Sequence, residues 1–450
     1  MLLLTVVGKR LRPRSFWDLA VEVALIRPGP IQGGSVHPYL RRRRGEPWQH
    51  DHPLLARALD KTLGVTLFQE QVMQIAVDVA GFTAADADEL RRAMGAKRSG
   101  RKMDLLRERF YKGLSINDIT GDLADRIFLQ VKAFSGYGFP QSHALAFAHI
   151  VFQSAWLKLY YPAAFCAALL RAQPMGFYSP QTLVADARRH GVRIRRVDIN
   201  QSRVDADLEP DPGSTGGQAI RIGLAVVRGL GTETAQRIVE ERDRGGAYGA
   251  IDELTRRVRL TLPQVEALAT AGALSPLEPS RRAALWSAGA AARERPDALP
   301  GTAMVSPPPA LPGMTAWELM AADVRFTGLS PDGHPMQLLR AHLDTLDVLP
   351  AAALAGIEHG TRVLVGGAIT HTQRPPTAGG VTFVNLEDET AMVNVVISSG
   401  LFHRIRPVLL ASNAIVVRGV VEIGQGAISL LADQITPLDL KAPGTKSRRF

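Results

Sequence analysis

The stretch Phe68–Lys102, FQEQVMQIAVDVAGFTAADADELRRAMGAKRSGRK, contains two helical patterns and ends in a basic loop punctuated by glycine. Thr83 stands three residues before Asp86, which is the spacing of a capping box, so we expect a helix to begin just after Thr83. The carboxylates that follow then lie in its first turns, where the helix dipole favours negative charge. These acids therefore have a structural reason to be there.

The end of the same stretch is strongly basic, with Arg91, Arg92, Lys97, Arg98, Arg101 and Lys102. Cations at this density suit the phosphates of a nucleotide or of a nucleic-acid backbone. A solvated basic helix end would look similar, because cations also complement the dipole there. The residues alone leave both interpretations open.

Composition is that of a protein with several cores and an anionic partner. The 450 residues predict about three domains at roughly 150 residues each. The hydrophobic fraction of 46% is enough to bury several cores. The net charge of +10 at pH 7 predicts an anionic partner, of which nucleic acid is the commonest, ahead of acidic lipid. The single cysteine, Cys166, excludes an internal disulfide or a thiolate cluster and predicts a buried thiol.

Neither a signal peptide nor a membrane span is expected. Met1–Val7 is apolar but short and lacks a preceding charged region, so we expect a cytoplasmic protein. The apolar region 144–170 is interrupted by polar residues and by Pro162. We predict two buried helices that meet near Pro162.

Secondary structure is predicted to be α-rich up to about residue 290 and all-β near the C-terminus. Helical periodicity recurs through residues 12–200, where no strand ladder is expected, and again over 222–274. Glu209–Gly217 is expected to be a turn or short linker, and 295–312 a Pro-rich connector. The helical segments are Leu54–Lys61, Gln69–Val79, Ala84–Met94, Leu123–Phe134 and His143–Tyr160.

Five strand-like runs follow one another from Arg362 onward. A helical segment, Leu401–Leu410, separates the third run from the fourth. That order is typical of an OB-fold, a small barrel that commonly binds single-stranded nucleic acid. Glycine pairs at 379–380 and at 424 with 426 stand where hairpin turns are required. The fold class is thus an α-rich multidomain region followed by an all-β barrel.

The segment Val226–Arg242, VVRGLGTETAQRIVEER, has the signature of a helix-hairpin-helix motif. Two glycines around one apolar residue allow a tight turn whose amides, at a helix N-terminus, can receive a DNA phosphate. An ordinary turn between packed helices is the alternative. Pro263 and Gly272 bound a second helix pair of the same module. The predicted DNA contacts are Arg228, Gly229, Leu230, Gly231 and Thr232.

Two further segments could contact phosphate. Arg41, Arg42, Arg43 and Arg44 follow a Pro- and Gly-rich loop and are predicted to bind the DNA backbone, with a solvated patch as the alternative. Ser142 and His143 stand at a helix start, where anions bind, although a lone histidine there is more often a capping or core residue.

No catalytic or metal centre is expected from the residues. Glu387, Asp388 and Glu389 fall at the end of a barrel strand, and we expect them to be solvated in a turn. His37, His50 and His52 lack acidic or cysteine partners at metal-ligand spacing, so no metal is predicted.

Five motifs in one order resemble the bacterial C-family DNA polymerases, and most closely their error-prone, translesion branch. They are VEVALIRPGPIQGG, LFQEQVMQIA, ADELRRAMG, GFPQSHALAFA and FCAALLRAQPMGFYSPQTLVADARRHG. The resemblance implies polymerase fingers, then a helix-hairpin-helix module, then an OB-fold. In this family a PHP domain and a palm with catalytic aspartates precede the first motif, so we expect a C-terminal portion without them.

The resemblance also implies roles for individual residues. Arg91, Arg92 and Lys97 would face the phosphates of the incoming nucleotide, and Ser142 and His143 match a second fingers motif. Pro140 and Gln141 stand where the replicative branch tends to have Asn-Lys, so no lysine contact is transferred.

The expected domains are fingers over 1–200 with an atypical 1–11, helix-hairpin-helix over 215–295, linker and connecting helices over 296–355, OB-fold over 356–440 and a basic tail over 441–450. The complete enzyme would use Mg²⁺, with none bound by this chain, and would act on primer-template DNA and deoxynucleoside triphosphates with accessory translesion proteins. The alternative function is a non-catalytic DNA-binding or scaffold protein that uses the same modules.

Overall fold

The computed structural model describes residues 11, 13–25, 36–95, 100–133, 139–176, 178–294, 307–375, 378–424, 427–438 and 448–449. The chain divides into two compact units. One is Met1–Ala155 with Gly424–Ala427, and the other is Trp156–Ile423 with Ile428–Phe450.

The first unit is helical. Its helices are Phe16–Leu25 (α1), Val36–Arg43 (α2), Ala56–Leu59 (α3), Gln69–Ala80 (α4), Ala84–Gly95 (α5), Gly100–Ile116 (α6), Gly121–Ala133 (α7) and Gln141–Tyr160 (α8), of which α8 continues into the second unit. The helices predicted around residues 69–79, 84–94, 123–134 and 143–160 are therefore confirmed.

Helix α4 is the centre of one core of this unit. Val72, Ile75, Ala76 and Val79 are fully buried at the i, i+3, i+4, i+7 spacing of an amphipathic helix. The Gln71 side chain caps the helix start, since its Oε1 accepts from the backbone N–H groups of Leu67 and Phe68. Gly81, at φ +64°, ends it.

The capping box predicted at Thr83 is confirmed. The Asp86 backbone N–H donates to Thr83 Oγ1 at 3.2 Å, and the Thr83 backbone N–H donates to Asp86 Oδ2 at 3.1 Å. Arg109 from α6 adds two hydrogen bonds to the same carboxylate, at 2.8 and 2.5 Å. Asp86 therefore starts α5 and also ties it to α6.

Two helices do meet at Pro162, but the expectation that both are buried was wrong. Helix α9, Pro162–Arg171, begins with the proline in its first turn. In α8 only Ala144 and Ala148 are buried, whereas Phe152, Leu159 and Tyr160 are 55%, 71% and 58% exposed. The apolar residues of α8 lie on all sides of the helix instead of forming one stripe. Its hydrophobicity alone therefore does not indicate which side is covered.

A small sheet in the second unit was not foreseen. Strands Ile194–Arg195 (β1), Asp207–Pro210 (β2) and Gln218–Arg221 (β3) pair in the order β1-β3-β2. β1 is parallel and β2 antiparallel to β3. Strands of two to four residues are too short to display a period of two. The expected linker at 209–217 is thus partly strand, followed by a turn.

The next helices of the second unit, except the last of them, surround one core. Helices Pro180–Arg189 (α10), Thr232–Gly245 (α11), Ile251–Val258 (α12), Leu262–Thr270 (α13), Arg281–Ala291 (α14), Ala316–Thr327 (α15) and Pro335–Asp344 (α16) follow one another. The core extends from Val184 to Leu329 and includes Ile238, Leu254 and Leu268, all fully buried. Residues 307–312 have no regular structure, and the rest of the Pro-rich stretch lies outside the described residues.

The C-terminal barrel has the predicted OB-fold order. Strands Arg362–Gln373 (β5), Thr382–Glu387 (β6), Met392–Ile397 (β7), Ala414–Gly424 (β8) and Ala427–Pro437 (β9) pair as β5-β6-β7-β9-β8, and β8 closes on β5. Helix Ser399–Ala411 (α17) lies between β7 and β8. Short strands Val348–Leu349 (β4) and Arg448–Arg449 (β10) also pair with β5.

The expectation that Glu387, Asp388 and Glu389 are solvated was wrong. Glu387 and Asp388 are each 1% exposed. Arg189 of α10 lies 2.8 Å from Glu387, and Arg340 of α16 lies 3.1 Å from Asp388 and 2.5 Å from Glu389. The arginines are distant in sequence, so the local pattern of a strand followed by a turn did not reveal them.

Candidate nucleic-acid interface

The helix-hairpin-helix turn is built from Val227 to Gly231. The Leu230 backbone N–H donates to the Val227 carbonyl at 3.1 Å, which closes the turn. Leu230 is 2% exposed and anchors it in the core, whereas Arg228, Gly229 and Gly231 are exposed. The glycines have φ of +87° and +78°, a region that other residues enter only with strain. The turn therefore presents backbone to solvent.

Gly231 is the N-cap of α11. A glycine has no side-chain oxygen, so the first-turn amides of α11 receive no side-chain cap from it and remain open to an external acceptor. A Cβ at Gly229 or Gly231 would meet nothing within 4 Å. There is thus open space beside both glycines at the start of α11, where the helix dipole adds partial positive charge.

The second helix pair supports the first. Gln264 of α13 donates from Nε2 to Thr234 Oγ1 of α11 at 3.1 Å. Thr261 and Gln264 form a capping box at the start of α13, and Gly272, at φ +77°, follows its end. The predicted bounds of this second pair agree with the helix.

Basic residues near the hairpin divide into structural and exposed groups. Arg242 is 8% exposed and donates to the carbonyls of Ile199 and Ser202 at 3.0 and 2.8 Å. Arg257 stacks on Tyr248 at 4.5 Å and pairs with Glu253. Arg228 and Arg237 are exposed. These two are the guanidinium groups of the motif that phosphate could reach.

The four successive arginines do not form one free patch. Arg42 donates to the Leu63 carbonyl at 2.6 Å, and Arg43 lies 2.6 Å from Asp18, which is 3% exposed. Arg41 pairs with Glu46 at 3.2 Å. Arg44 follows the end of α2 and is exposed. Helical rotation in α2 explains why the four groups separate.

The predicted nucleotide contacts lie around α5. Arg92 is exposed, and its Nη2 is 2.7 Å from Asp88 Oδ2. An exposed i,i+4 ion pair of this kind contributes little to stability. Arg92 can therefore exchange Asp88 for a phosphate. Arg91 is a residue of α5 whose side chain lies outside the described part of the chain, and Lys97 lies outside it entirely.

Ser142 and His143 are exposed in the first turn of α8. The His143 ring lies between those of Phe139 and Phe147, with centroids 5.2 and 4.6 Å away. The Gln141 backbone N–H donates to Glu70 at 2.9 Å. The aromatic contacts orient His143 at a helix N-terminus, where an anion would be favoured.

The barrel contributes a contact that the sequence did not indicate. Arg374, which follows β5, lies with its guanidinium 4.5 Å from the Phe402 ring of α17. A cation beside an aromatic ring is a common surface for unpaired bases. No sequence spacing links these two residues, because only the fold of the barrel domain brings them together.

Within the described ranges, no three side chains of His, Cys, Asp or Glu are grouped as a metal site would require. Likewise, none of the helices in the described part has the length and apolar character needed to cross a membrane.

Three family models match separate parts of the chain. They are the bacterial DNA polymerase III alpha subunit finger domain over residues 4–118, a helix-hairpin-helix motif over 191–284 and an OB-fold nucleic acid binding domain over 363–438. The second match covers the hairpin described above, and the third covers the barrel.

Curated relatives match along nearly the whole chain. An error-prone DNA polymerase of Nocardia farcinica is 58% identical over 98% of this chain and 39% of its own length. One from Mycobacterium tuberculosis is 57% identical over 98% of this chain and 40% of its own length. The chain thus spans about two-fifths of these relatives. An OBody bound to hen egg-white lysozyme matches 18% of this chain and 81% of its own, at 25% identity and a TM-score of 0.16, too low to support any conclusion.

Proposed function

Because the chain belongs to the error-prone branch of the bacterial C-family DNA polymerases, we propose that it provides DNA-binding and nucleotide-facing modules of a translesion polymerase. The complete enzyme would add deoxynucleotides opposite damaged template. The single observation that carries DNA binding is the hairpin at Gly229–Gly231, with a glycine N-cap and open space beside both glycines at the start of α11.

The hairpin contact would be independent of DNA sequence. Backbone amides and a helix N-terminus bind phosphate oxygens, which are the same for every base pair. Arg228, Gly229, Gly231 and Thr232 form this contact in our proposal, whereas the predicted contact Leu230 is buried and anchors the turn in the core. Arg41, Arg42, Arg43 and Arg44 would add backbone contacts, mainly through Arg44 and Arg41, whose side chains face solvent.

We propose that Arg91, Arg92, Lys97, Ser142 and His143 face the triphosphate of the incoming nucleotide. Exposure of Arg92 and of the helix start at Ser142 and His143 supports this assignment. We further propose the domain bounds given above, a cytoplasmic location and accessory translesion proteins as partners.

Two-metal phosphoryl transfer needs carboxylates that converge on one site. The described residues bring no such group together, so they do not fit a magnesium site. We propose that Mg²⁺ acts in the complete enzyme and that this chain alone binds DNA without extending a primer.

A binding and extension assay tests the proposal. Labelled duplexes of two unrelated sequences are titrated with the full chain by fluorescence anisotropy, and primer extension is followed with Mg²⁺ and all four deoxynucleotides. We expect binding to both duplexes and no extension. Absence of duplex binding would refute the DNA-binding role. Mg²⁺-dependent synthesis would refute the proposal that this chain alone does not extend a primer.

A further inference from the structure

A basic cleft of about 340 Å³ lies in the second unit, away from every residue assigned above. It is formed where the end of α10 passes into strand β1 and approaches the turn after β2. The residues that matter for its chemistry are Arg188, Gly191, Arg193, Arg195, Gly213 and Pro331.

Arg188 contributes a positive charge without a carboxylate partner among the described residues. Its Nη2 donates to the backbone carbonyl of Asp332 at 2.8 Å. Burial lowers the pKa of this guanidinium. The Asp332 carboxylate is already paired with Arg196, so it does not neutralise Arg188. A partly desolvated cation of this kind is stabilised by a bound anion.

Arg193 and Arg195 are held in place by one carboxylate. Asp211 lies 3.4 Å from Arg193 and 2.7 Å from Arg195, and its side chain is 6% exposed. The arginine side chains are 57% and 46% exposed. One buried aspartate thus orients two guanidinium groups that still face solvent, and with Arg188 the cleft keeps a net charge of about +2 by counting three cations and one anion.

Glycine permits the close approach of Arg193 to the opposite wall. A Cβ at Gly213 would lie 2.4 Å from Arg193 Nη2. The same loop is tied across the cleft, because the Arg193 backbone N–H donates to Ser214 Oγ and the Thr215 backbone N–H donates to the Gly191 carbonyl, both at 3.0 Å. The guanidinium of Arg193 therefore occupies the space that a side chain at position 213 would take.

We propose that this cleft binds a phosphate group through Arg188, Arg193 and Arg195, with Asp211 and Gly213 as positioning residues. Planar guanidinium groups recognise phosphate oxygens in pairs, and three of them at one cleft suit a doubly charged or bridging anion. The phosphate can belong to a nucleic-acid strand or to free pyrophosphate. This site does not depend on the hairpin at Gly231.

The test compares full-length Arg193→Gln with Arg171→Gln. Arg171, the last residue of α9, is a matched control. It is 51% exposed and pairs at 3.0 Å with Asp207 of β2, which is the edge strand opposite β1. A labelled single-stranded oligonucleotide is titrated at several salt concentrations. We expect R193Q to weaken binding about tenfold and to reduce the salt slope by about 0.7, the value for one phosphate contact on a single strand.

A second variant keeps the net charge. Gly213→Ala displaces the Arg193 guanidinium without removing it, so it should weaken oligonucleotide binding in the same direction, whereas R171Q should change it less than twofold. Calorimetric titration with inorganic pyrophosphate is the second arm, and far-UV circular dichroism checks folding.

The two arms separate the sources of phosphate. Loss of oligonucleotide binding in R193Q and G213A assigns the cleft to a nucleic-acid strand. Loss confined to pyrophosphate assigns it to the free anion. If both variants match R171Q with both probes, the proposal is overturned. None of these outcomes depends on duplex binding by the hairpin.

Discussion

Arginine has two different roles in this chain, and only one of them concerns ligands. Arg42, Arg43 and Arg242 donate to carbonyls or to a buried aspartate and hold loops in place. Arg44 and Arg228 face solvent. The total of 53 Lys and Arg residues therefore overstates the number of cations that DNA can reach. Arginine counts in sequence cannot make this distinction, because it depends on which carbonyl or carboxylate the fold brings near.

Replacing Arg189 with methionine should destabilise the second unit by about 3 kcal/mol, because it leaves the Glu387 carboxylate buried without its partner. Burial already raises the pKa of Glu387, and Arg189 opposes that rise. Chemical denaturation followed by circular dichroism measures the change. The double variant R189M/E387L should recover most of the loss, and a loss below about 1 kcal/mol in R189M would contradict the assignment.

His334 should make stability depend on pH. Burial lowers its pKa from 6.5 to about 4, while Asp388 raises it and Arg189 and Arg188 lower it further. Below pH 6.5 the unfolded chain binds a proton that the folded chain refuses, so stability falls as the medium is acidified. Between pH 7 and pH 5 the loss should be about 2 kcal/mol.

The variant His334→Asn is the comparison for that pH effect. His334 is the N-cap of α16, where its Nδ1 accepts from the Met336 backbone N–H at 3.2 Å. Asparagine keeps an N-cap acceptor but does not titrate. Thermal unfolding curves at pH 5 and pH 7 should therefore differ less for H334N than for the parent chain. Equal differences would exclude His334 as their source.

At the scale of elements, the two ends of helix α11 allow a matched test of the hairpin. Gly231 and Gly246 have nearly the same φ, +78° and +79°, and neither Cβ would meet an atom within 4 Å. Gly231→Val and Gly246→Val should thus cost similar stability, about 1–3 kcal/mol. Only G231V should weaken duplex binding, by about tenfold, because only this end presents free amides.

Anisotropy with duplex DNA at fixed salt measures this difference. Equal affinities for the two variants would show that the N-terminus of α11 does not contact phosphate. A preference that changes between unrelated sequences would also count against a backbone contact.

Sequence patterns predicted the elements whose pattern lies within one short segment of the chain. The Gly-Leu-Gly hairpin, the capping box at Thr83 and the five barrel strands each depend on residues close together in the chain. Strands β1–β3 were missed because they are two to four residues long. The burial of Asp388 was missed because its partner Arg340 is 48 residues away. The predicted nucleotide and DNA contacts remain predictions, since their test is a bound ligand.

At the scale of the whole molecule, DNA binding should be sequence-independent and salt-dependent. Each phosphate neutralised on duplex DNA contributes about −0.9 to the slope of log K against log salt. The hairpin supplies at least one such contact, so with the net charge of +10 we expect a slope of about −0.9 or steeper. Titrations from low to high salt on two unrelated duplexes measure it. A flat dependence would contradict phosphate binding by the hairpin.

The buried ion pairs beneath the barrel also have an evolutionary consequence. Arg189 and Glu387 are 198 residues apart, yet the loss of either leaves the other buried or poorly solvated. A lineage can therefore pass from this pair to an apolar pair only through a destabilised intermediate. Among related polymerases, positions 189 and 387 should change together or not at all, and an alignment in which they vary independently would show that the pair is dispensable.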